Sequence, residues 1–408
     1  MTKERVQDMK MTKFKLMLYT MVIILMTNIL TVRYQLSDYV ESNPNGKDML
    51  NLMELKNVVE DEFYTDIDEE ELIVGMKKGL FQGLNDPYSE FYTKEEMNEL
   101  KEQTTGELIG IGVIVGIKDD NIVVISPIKD SPAMRVGLKA GDIISKVNGK
   151  EYKANELSDA VKEIKVPLSE KKSSLLGKAD YGKVKIEVFR EGKEREFEIQ
   201  REEISLQTVE YKQLENKIGY IAISQFADGT AKDFVKELET SKKNDDRALI
   251  IDLRNNPGGL LNEVQDVADS IMGEATIVYT QDRNGKKQYI KSRDGGELNI
   301  PLVVLINEGS ASASEVLSGA VRDNEIGTLV GEKTFGKALV QTVRQLSDGS
   351  GFKLTVQQYF TPRGENINHK GIVPDVEVKL DENQLLKNQV DTQLQKAIEI
   401  IQTKLNQK

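Results

Sequence analysis

From Ile218 onward the chain alternates between short, wholly apolar runs and longer amphipathic ones. Ile218 to Ser224, Ala248 to Leu253 and Leu302 to Ile306 are of the first kind, and Gly327 to Gly331 fits the same place in the alternation. Thr230 to Ser241, Leu260 to Met272 and Ser312 to Arg322 are of the second. A continuous apolar run suits a strand buried on both faces, and strands alternating with helices predict a parallel α/β sheet. Gly351 to Phe360 predicts a late strand.

Upstream the texture differs. Ile111 to Ile117, Asn121 to Ser126, Asp142 to Val147, Val184 to Arg190 and Arg195 to Gln200 read as strands, separated by turn signals such as Asn148-Gly149 and Glu191-Gly192. One helix lies among them, with Leu157, Ala160, Val161 and Ile164 at helical spacing. The polar, lysine-rich stretch Pro167 to Gly182 predicts a surface insertion. Earlier still, Leu52, Leu55, Val58 and Val59 form one helical stripe, and Leu72, Ile73, Met76, Leu80, Phe81 and Leu84 another. Thr93 and Glu96 have capping-box spacing for a third helix, ending near Gln103. The tail, Glu382 to Lys408, reads as one amphipathic helix that offers a packing or dimer surface.

Leu16 to Val32 is largely apolar and uncharged, and follows Lys3, Arg5, Lys10, Lys13 and Lys15. Its 17 residues reach the short end of a bilayer span. No alanine precedes Ala133, so the small-residue site of a cleaved signal peptide is missing. These features predict an uncleaved anchor with a cytoplasmic N-terminus; a signal peptide is the second reading. Ser42 to Gly46 reads as the linker that follows it.

Composition narrows the chemistry. A net charge of −12 argues against nucleic-acid binding, which needs Lys and Arg against phosphates. The absence of cysteine removes thiol nucleophiles, disulfides and thiolate metal sites. With a single histidine, His369 in a polar loop, an imidazole-based triad has one candidate, and that residue reads better as a surface group. Lysine is the remaining common base for activating a hydroxyl.

Two loops follow apolar strands and precede helices. The first, Asp252 to Gly259, ends in Pro257-Gly258-Gly259; the second runs from Asn307 to Ser312. In open α/β sheets ligands bind beyond the carboxyl ends of the strands, so loops on neighbouring strands face one crevice. Gly258 and Gly259 offer N–H donors to an oxyanion. The segment Gly309-Ser310-Ala311-Ser312-Ala313-Ser314-Glu315 holds three candidate hydroxyls. Ser312 sits at the expected helix N-terminus, where developing negative charge is favoured and the Ala313 N–H is a second donor. Ser310 suits a cap, and Ser314 faces another side of the helix. Lys337 could serve as base only with its pKa lowered by desolvation or neighbouring positive charge. In an extended segment Gln341 would point the same way and hold the neutral amine. Glu315 could assist or simply form a structural hydrogen bond.

These residues resemble the carboxyl-terminal processing proteases, also called tail-specific proteases, over roughly Asp48 to Leu380. Asn85-Asp86-Pro87-Tyr88-Ser89 is similar to that family's N-terminal signature. Gly110-Ile111-Gly112-Val113, followed by Ser131-Pro132-Ala133, Gly141-Asp142 and Val147-Asn148-Gly149, resembles a PDZ domain and its carboxylate-binding loop. Asp252 to Gly259, Gly309 to Glu315, Gly331 to Gln341 and Gly371-Ile372-Val373-Pro374-Asp375 are similar to the protease core.

The resemblance implies an α+β multidomain protein. It would have a crotonase-like α/β protease core at 204–380 and an inserted PDZ domain at 105–203. An N-terminal helical region at 47–104, an anchor at 16–32 after cytoplasmic residues 1–15, and a C-terminal helix at 381–408 complete it. Carried over residue by residue, Ser312 becomes the nucleophile, Lys337 its general base and Gln341 the residue that orients it, with Gly258, Gly259 and Ala313 as oxyanion donors. Gly110, Ile111, Gly112 and Val113 would hold a peptide carboxylate. The implied activity is cleavage of extracytoplasmic proteins after capture of their C-terminal tails, without metal or organic cofactor; the tail and N-terminal helices predict self-association as a homodimer. The chain departs from the family at Lys165-Val166-Pro167, where relatives carry an arginine and a short turn. A non-catalytic PDZ adaptor and an acyl-CoA-type enzyme on the same core are the rival expectations.

Overall fold

The computed structural model describes residues 15, 17–33, 46–167, 170, 179–293 and 296–407, which form two compact units divided between Met76 and Lys77. In the first unit residues 17–33 are helical and their apolar side chains lie exposed. Among the described residues no helix is long and apolar enough to cross a membrane. The expected basic flank up to Lys13, Leu16 and most of the Ser42–Gly46 linker lie outside the described residues. Helix Gly46–Glu62 follows, and a further helix covers Glu69–Gln82, within which the division falls. The stripe of Leu52, Leu55 and Val58 is exposed rather than packed.

In the second unit the capping box forms as its spacing predicts. The Glu96 N–H donates to Thr93 Oγ1 at 3.3 Å and the Thr93 N–H to Glu96 Oε2 at 2.8 Å. The helix Lys94–Thr105 then stops at Gly106, whose φ of +65° suits a residue without Cβ. Strands Val113–Lys118, Asn121–Pro127, Ile143–Val147, Lys183–Arg190 and Lys193–Gln200 form an antiparallel sheet with Val113–Lys118 at one edge. Its inner face, including Ile122, Val124, Ile144, Val184, Ile186 and Val188, packs with Ala160 and Ile164 of the helix Leu157–Ile164. The strands Glu107–Gly110 and Glu202–Ser205 pair with each other where the chain enters and leaves this body. Most of the insertion expected at Pro167–Gly182 lies outside the described residues.

The core sheet has the order Val209–Leu214, Ile218–Ile223, Ala248–Asp252, Leu302–Ile306, Thr328–Gly331, Val376–Glu377, parallel except for its first strand. Leu249, Ile251, Val304 and Ile306 face a cluster completed by Phe234, Val264, Val267, Leu317 and Val321 of three helices. Those helices are Thr230–Lys243, Leu261–Asp269 and Ala313–Asp323. Ala248, Ile250, Val303 and Leu305 face the other way, against Ala397 and Ile401. Two covered faces are why these strands read as unbroken apolar runs.

Two expectations need correction. The tail is not one helix: Glu382–Asn388 and Thr392–Asn406 are separated at Gln389, which has a φ of +56°. Asp391 starts the second helix by accepting from the Leu394 N–H at 2.9 Å, a cap that the apolar spacing alone concealed. There is also a second, antiparallel sheet in which Gly351–Phe360 pairs with Glu90–Tyr92, Thr276–Asp282 and Leu339–Gln345, while Lys287–Lys291 adds to Thr276–Asp282. Lys287–Lys291 is almost wholly exposed and Leu339–Gln345 half so; without one buried face, neither shows an alternating pattern.

Candidate active site

Because Asp252 pairs with Leu305 in adjacent parallel strands, the loops that follow leave the sheet side by side. They are stitched together. The Asn255 N–H donates to Asn307 Oδ1 at 2.8 Å, Asn307 Nδ2 to Asn255 Oδ1 at 2.9 Å, and the Ala311 N–H to Asn256 O at 3.0 Å. Two of the three candidate serines belong to this stitching. Ser310 Oγ donates to Leu253 O at 2.7 Å and Ser314 Oγ to Asn256 O at 2.9 Å, and both are fully buried. Ser312 is half-buried, and its hydroxyl donates to no carbonyl among the described residues. Its backbone stands at φ 53°, ψ −113°, a conformation that L-residues avoid, and the helix starts one residue later than expected, at Ala313. That strain is held at a half-buried serine whose hydroxyl takes no part in the stitching of the two loops.

The glycines lie against that serine. A Cβ at Gly258 would come within 2.8 Å of both Ser312 Cβ and the Ala313 nitrogen, and Gly258 has a φ of +100°. Only glycine fits there. Its own N–H, however, donates to Asn256 Oδ1 at 2.9 Å and so is already engaged. Gly259 follows with a φ of +143° and its backbone pressed on Phe226. The Ala313 N–H, at the first position of the helix, has no partner one turn back.

Glu315 ties the serine to the lysine loop. It is fully buried, and each of its oxygens accepts twice. Oε2 takes the N–H groups of Ser312 and Lys337, both at 2.9 Å. Oε1 takes Thr334 Oγ1 at 2.5 Å and the Gly336 N–H at 2.8 Å. The carboxylate is thus fully spent on structure. Tyr359, fully enclosed, adds a second tie by donating to the carbonyls of Ser312 and Lys337. Burial first, and the nearby Glu315 second, push its phenol well above the usual range.

The Lys337 side chain is half-buried. Burial, and then the Lys353 ammonium, lower its pKa, while Asp86 and Glu315 pull it back up. Its Nζ lies 4.6 Å from the centre of the Tyr88 ring. Among the described residues no hydrogen bond joins it to the Ser312 hydroxyl. Gln341 is placed differently from expectation. Lys337 precedes the strand Leu339–Gln345, and a bulge falls between Val340 and Gln341, so simple alternation does not run from one residue to the other. The Gln341 amide donates to Thr355 Oγ1 at 3.4 Å. His369 is exposed, and its backbone N–H donates to Gly336 O at 2.8 Å.

Sequence reasoning assigned no role here to Lys353, Thr355, Asp86 or Tyr88. Lys353 and Thr355 lie on one side of a strand that also carries apolar residues and gave no chemical signal. The segment Asn85 to Ser89 did stand out, as a motif without a function.

In the antiparallel body, Gly110 ends its strand and Ile111 is fully buried, with its carbonyl accepting from the Ala133 N–H at 2.8 Å. The Gly112 carbonyl accepts from the Ile128 N–H and from Ser131 Oγ, each at 2.9 Å. Ser131-Pro132-Ala133 therefore braces the glycine loop, and Val113 opens the edge strand.

Residues 217–378 match the pattern of peptidase family S41, and residues 123–173 that of the PDZ domain. A probable CtpA-like serine protease of Staphylococcus aureus (strain MSSA476) is 35% identical over 370 residues, covering 89% of this chain and 72% of that protein. Its counterpart in Staphylococcus haemolyticus (strain JCSC1435) is 37% identical over 303 residues, 74% of this chain and 58% of that one. A putative S41 protease from Bacteroides fragilis NCTC 9343 shares the fold, with a TM-score of 0.51 at 15% identity over 80% of this chain and 90% of that one. The chain belongs to peptidase family S41. Within it, it is a serine protease of the CtpA-like, C-terminal processing kind that carries a PDZ domain.

Proposed function

We propose that Ser312 is the nucleophile and Lys337 its general base in hydrolysis of peptide bonds. One observation carries this reading: Ser312 and Lys337 donate their backbone N–H groups to the same Glu315 oxygen, which holds the lysine loop against the serine loop, and burial with the Lys353 charge lowers the lysine's pKa. Ser312 Oγ attacks the scissile carbonyl, Lys337 Nζ takes the hydroxyl proton, and the same proton passes to the leaving amine. Water then releases the acyl group by the reverse sequence. The Ala313 N–H and that of Gly259 suit the oxyanion, and the Gly258 N–H could join only by leaving Asn256. Gln341 would orient the lysine after exchanging its bond to Thr355. The parallel sheet with helices on one face and the tail on the other favours a crotonase-like core.

The edge strand Val113–Lys118 suits addition of a substrate strand, with the loop Gly110–Val113 at the peptide carboxylate. Substrates would then be proteins with free C-termini. The apolar run Leu16–Val32 behind its basic flank supports a single-pass anchor with the catalytic part extracytoplasmic. Self-association as a homodimer would draw on the exposed stripe of Gly46–Glu62, since the tail's apolar face is already covered.

The test is mass spectrometry of an unfolded protein incubated with wild type, Ser312→Ala and Lys337→Ala. Loss of new termini in both variants, with tail binding retained, is the expected result. Cleavage by either variant at the wild-type rate would overturn it.

A further inference from the structure

The turn Asn85–Ser89 is built rigidly and aimed at the lysine. Asp86 Oδ1 accepts from the Tyr88 N–H at 3.1 Å and Asp86 Oδ2 from Ser89 Oγ at 2.5 Å. Ser89 Oγ in turn accepts from the Thr355 N–H at 3.0 Å, fastening the turn to the strand Gly351–Phe360. Thr355 is the cross-strand partner of Gln341 and the acceptor of its amide. The result is a fixed frame that presents the face of Tyr88 to Lys337 Nζ at 4.6 Å. An aromatic face attracts an ammonium and is indifferent to a neutral amine. The charged groups acting on Lys337 are Asp86 and Glu315, which favour its ammonium, and Lys353, which opposes it.

We propose that Asp86-Pro87-Tyr88-Ser89 is a seat for the protonated lysine: Tyr88 and Asp86 are positioning residues that hold Lys337 as an ammonium and set the pH at which its free amine reaches Ser312. This rests on Lys337 being the base. The Asp86 carboxyl is fit for the task. Burial works to raise it, but hydrogen bonds from Ser89, Thr355 and the Tyr88 N–H, together with the Lys337 charge, hold it below the usual carboxylate range.

The experiment is the pH profile of kcat/KM, whose acid limb reports the base of the free enzyme. Removing the ring face with Tyr88→Leu, or the charge with Asp86→Asn, makes the ammonium less stable. The limb should then move to lower pH by about half a unit to one unit. Tyr88→Phe keeps the face and should leave the limb where it is. If Tyr88→Leu fails to fold, fluorinated phenylalanines at position 88 weaken the face at nearly constant shape and should move the limb stepwise in the same direction. A limb unmoved in all of these, while Lys337→Ala remains inactive, overturns the seat and leaves the base assignment standing. An active Lys337→Ala overturns the base assignment and the seat with it.

Discussion

Ser312 and Lys337 donate their backbone N–H groups to the same oxygen of Glu315, each at 2.9 Å. Twenty-five positions apart in sequence, the two loops are held in register by one buried side chain. Their side chains can vary in rotamer, but their backbones cannot drift apart without breaking bonds that have no water to replace them.

Glu315→Ala should therefore be severe. It orphans three N–H donors and a hydroxyl, and each unsatisfied buried group costs about 1–3 kcal/mol. A stability loss of about 3 kcal/mol or more in urea unfolding is expected, with cleavage abolished. Glu315→Gln keeps the volume but turns an NH2 group toward donors on one side, so it should fall between the two. A Glu315→Ala protein as stable as wild type would mean that the clamp contributes nothing.

The readable parts of this chain were those fixed by short-range pattern. The capping box at Thr93 and Glu96 needs only local geometry, and the apolar runs at Ala248 and Leu302 report burial on both faces whatever packs there. The two loops beginning at Asp252 and Asn307 followed from those runs by topology. What stayed hidden depends on distant partners. The bulge at Gln341 is set by pairing with Thr355, and Lys353 gains its effect on Lys337 only when two strands fold beside each other. The break at Gln389 was masked because apolar spacing continues on both sides of it. Among the serines, the sequence already favoured Ser312 over Ser310 and Ser314; the bonds to Leu253 and Asn256, which occupy the other two hydroxyls, depend on distant partners.

Lys337 also links stability to pH, in the same direction as its proposed role as base links activity to pH. Its pKa is lowered by burial and by Lys353, so the folded chain binds fewer protons than the unfolded chain between that lowered value and the ordinary 10.5. Stability therefore rises with pH across that window, and below it the lysine charge weighs against folding. Lys337→Met should be inactive yet more stable than wild type at neutral pH, with the advantage shrinking as pH approaches the ordinary lysine value. Thermal melts of both proteins at several pH values test this. A constant difference across the series would be incompatible with it.

Gly258→Ala should separate fold from catalysis. The added methyl meets Ser312 Cβ and the Ala313 nitrogen at 2.8 Å and Ala311 O at 2.7 Å, so the serine loop must shift. Displacement of a reacting group by about 1 Å can cost roughly a hundredfold in rate. The expected result is a fall of that order in kcat with tail binding by the PDZ body unchanged, measured by steady-state kinetics and by titration with a substrate-tail peptide. Weakened tail binding with kcat intact would reverse the assignment of Gly258 to the serine crevice.

The loop over the serine is also held from the far end of the chain. Arg254, which opens the approach to Pro257-Gly258-Gly259, donates to Asp252, to Asp391 Oδ1 at 3.0 Å and to Gln393 Oε1 at 3.0 Å. Asp391 is at the same time the cap of the tail helix, so one carboxylate locks the tail and the loop together. Removing one member of a buried ion pair costs about 3–5 kcal/mol; Asp391 keeps 21% of its side-chain exposure, so about 2–3 kcal/mol is expected for Asp391→Ala. Burial works to raise the Asp391 carboxyl, but the Arg254 hydrogen bond and charge and the N–H groups of Leu394 and Gln393 hold it below the usual range. Its contribution is accordingly present above the ordinary carboxylate value of about 4 and is lost as pH falls through the lower folded value. The gap between wild type and Asp391→Ala in urea unfolding should narrow on acidification, and kcat of the variant should drop at neutral pH because the loop loses its tether. An unchanged kcat alongside the stability loss would confine the pair to holding the tail.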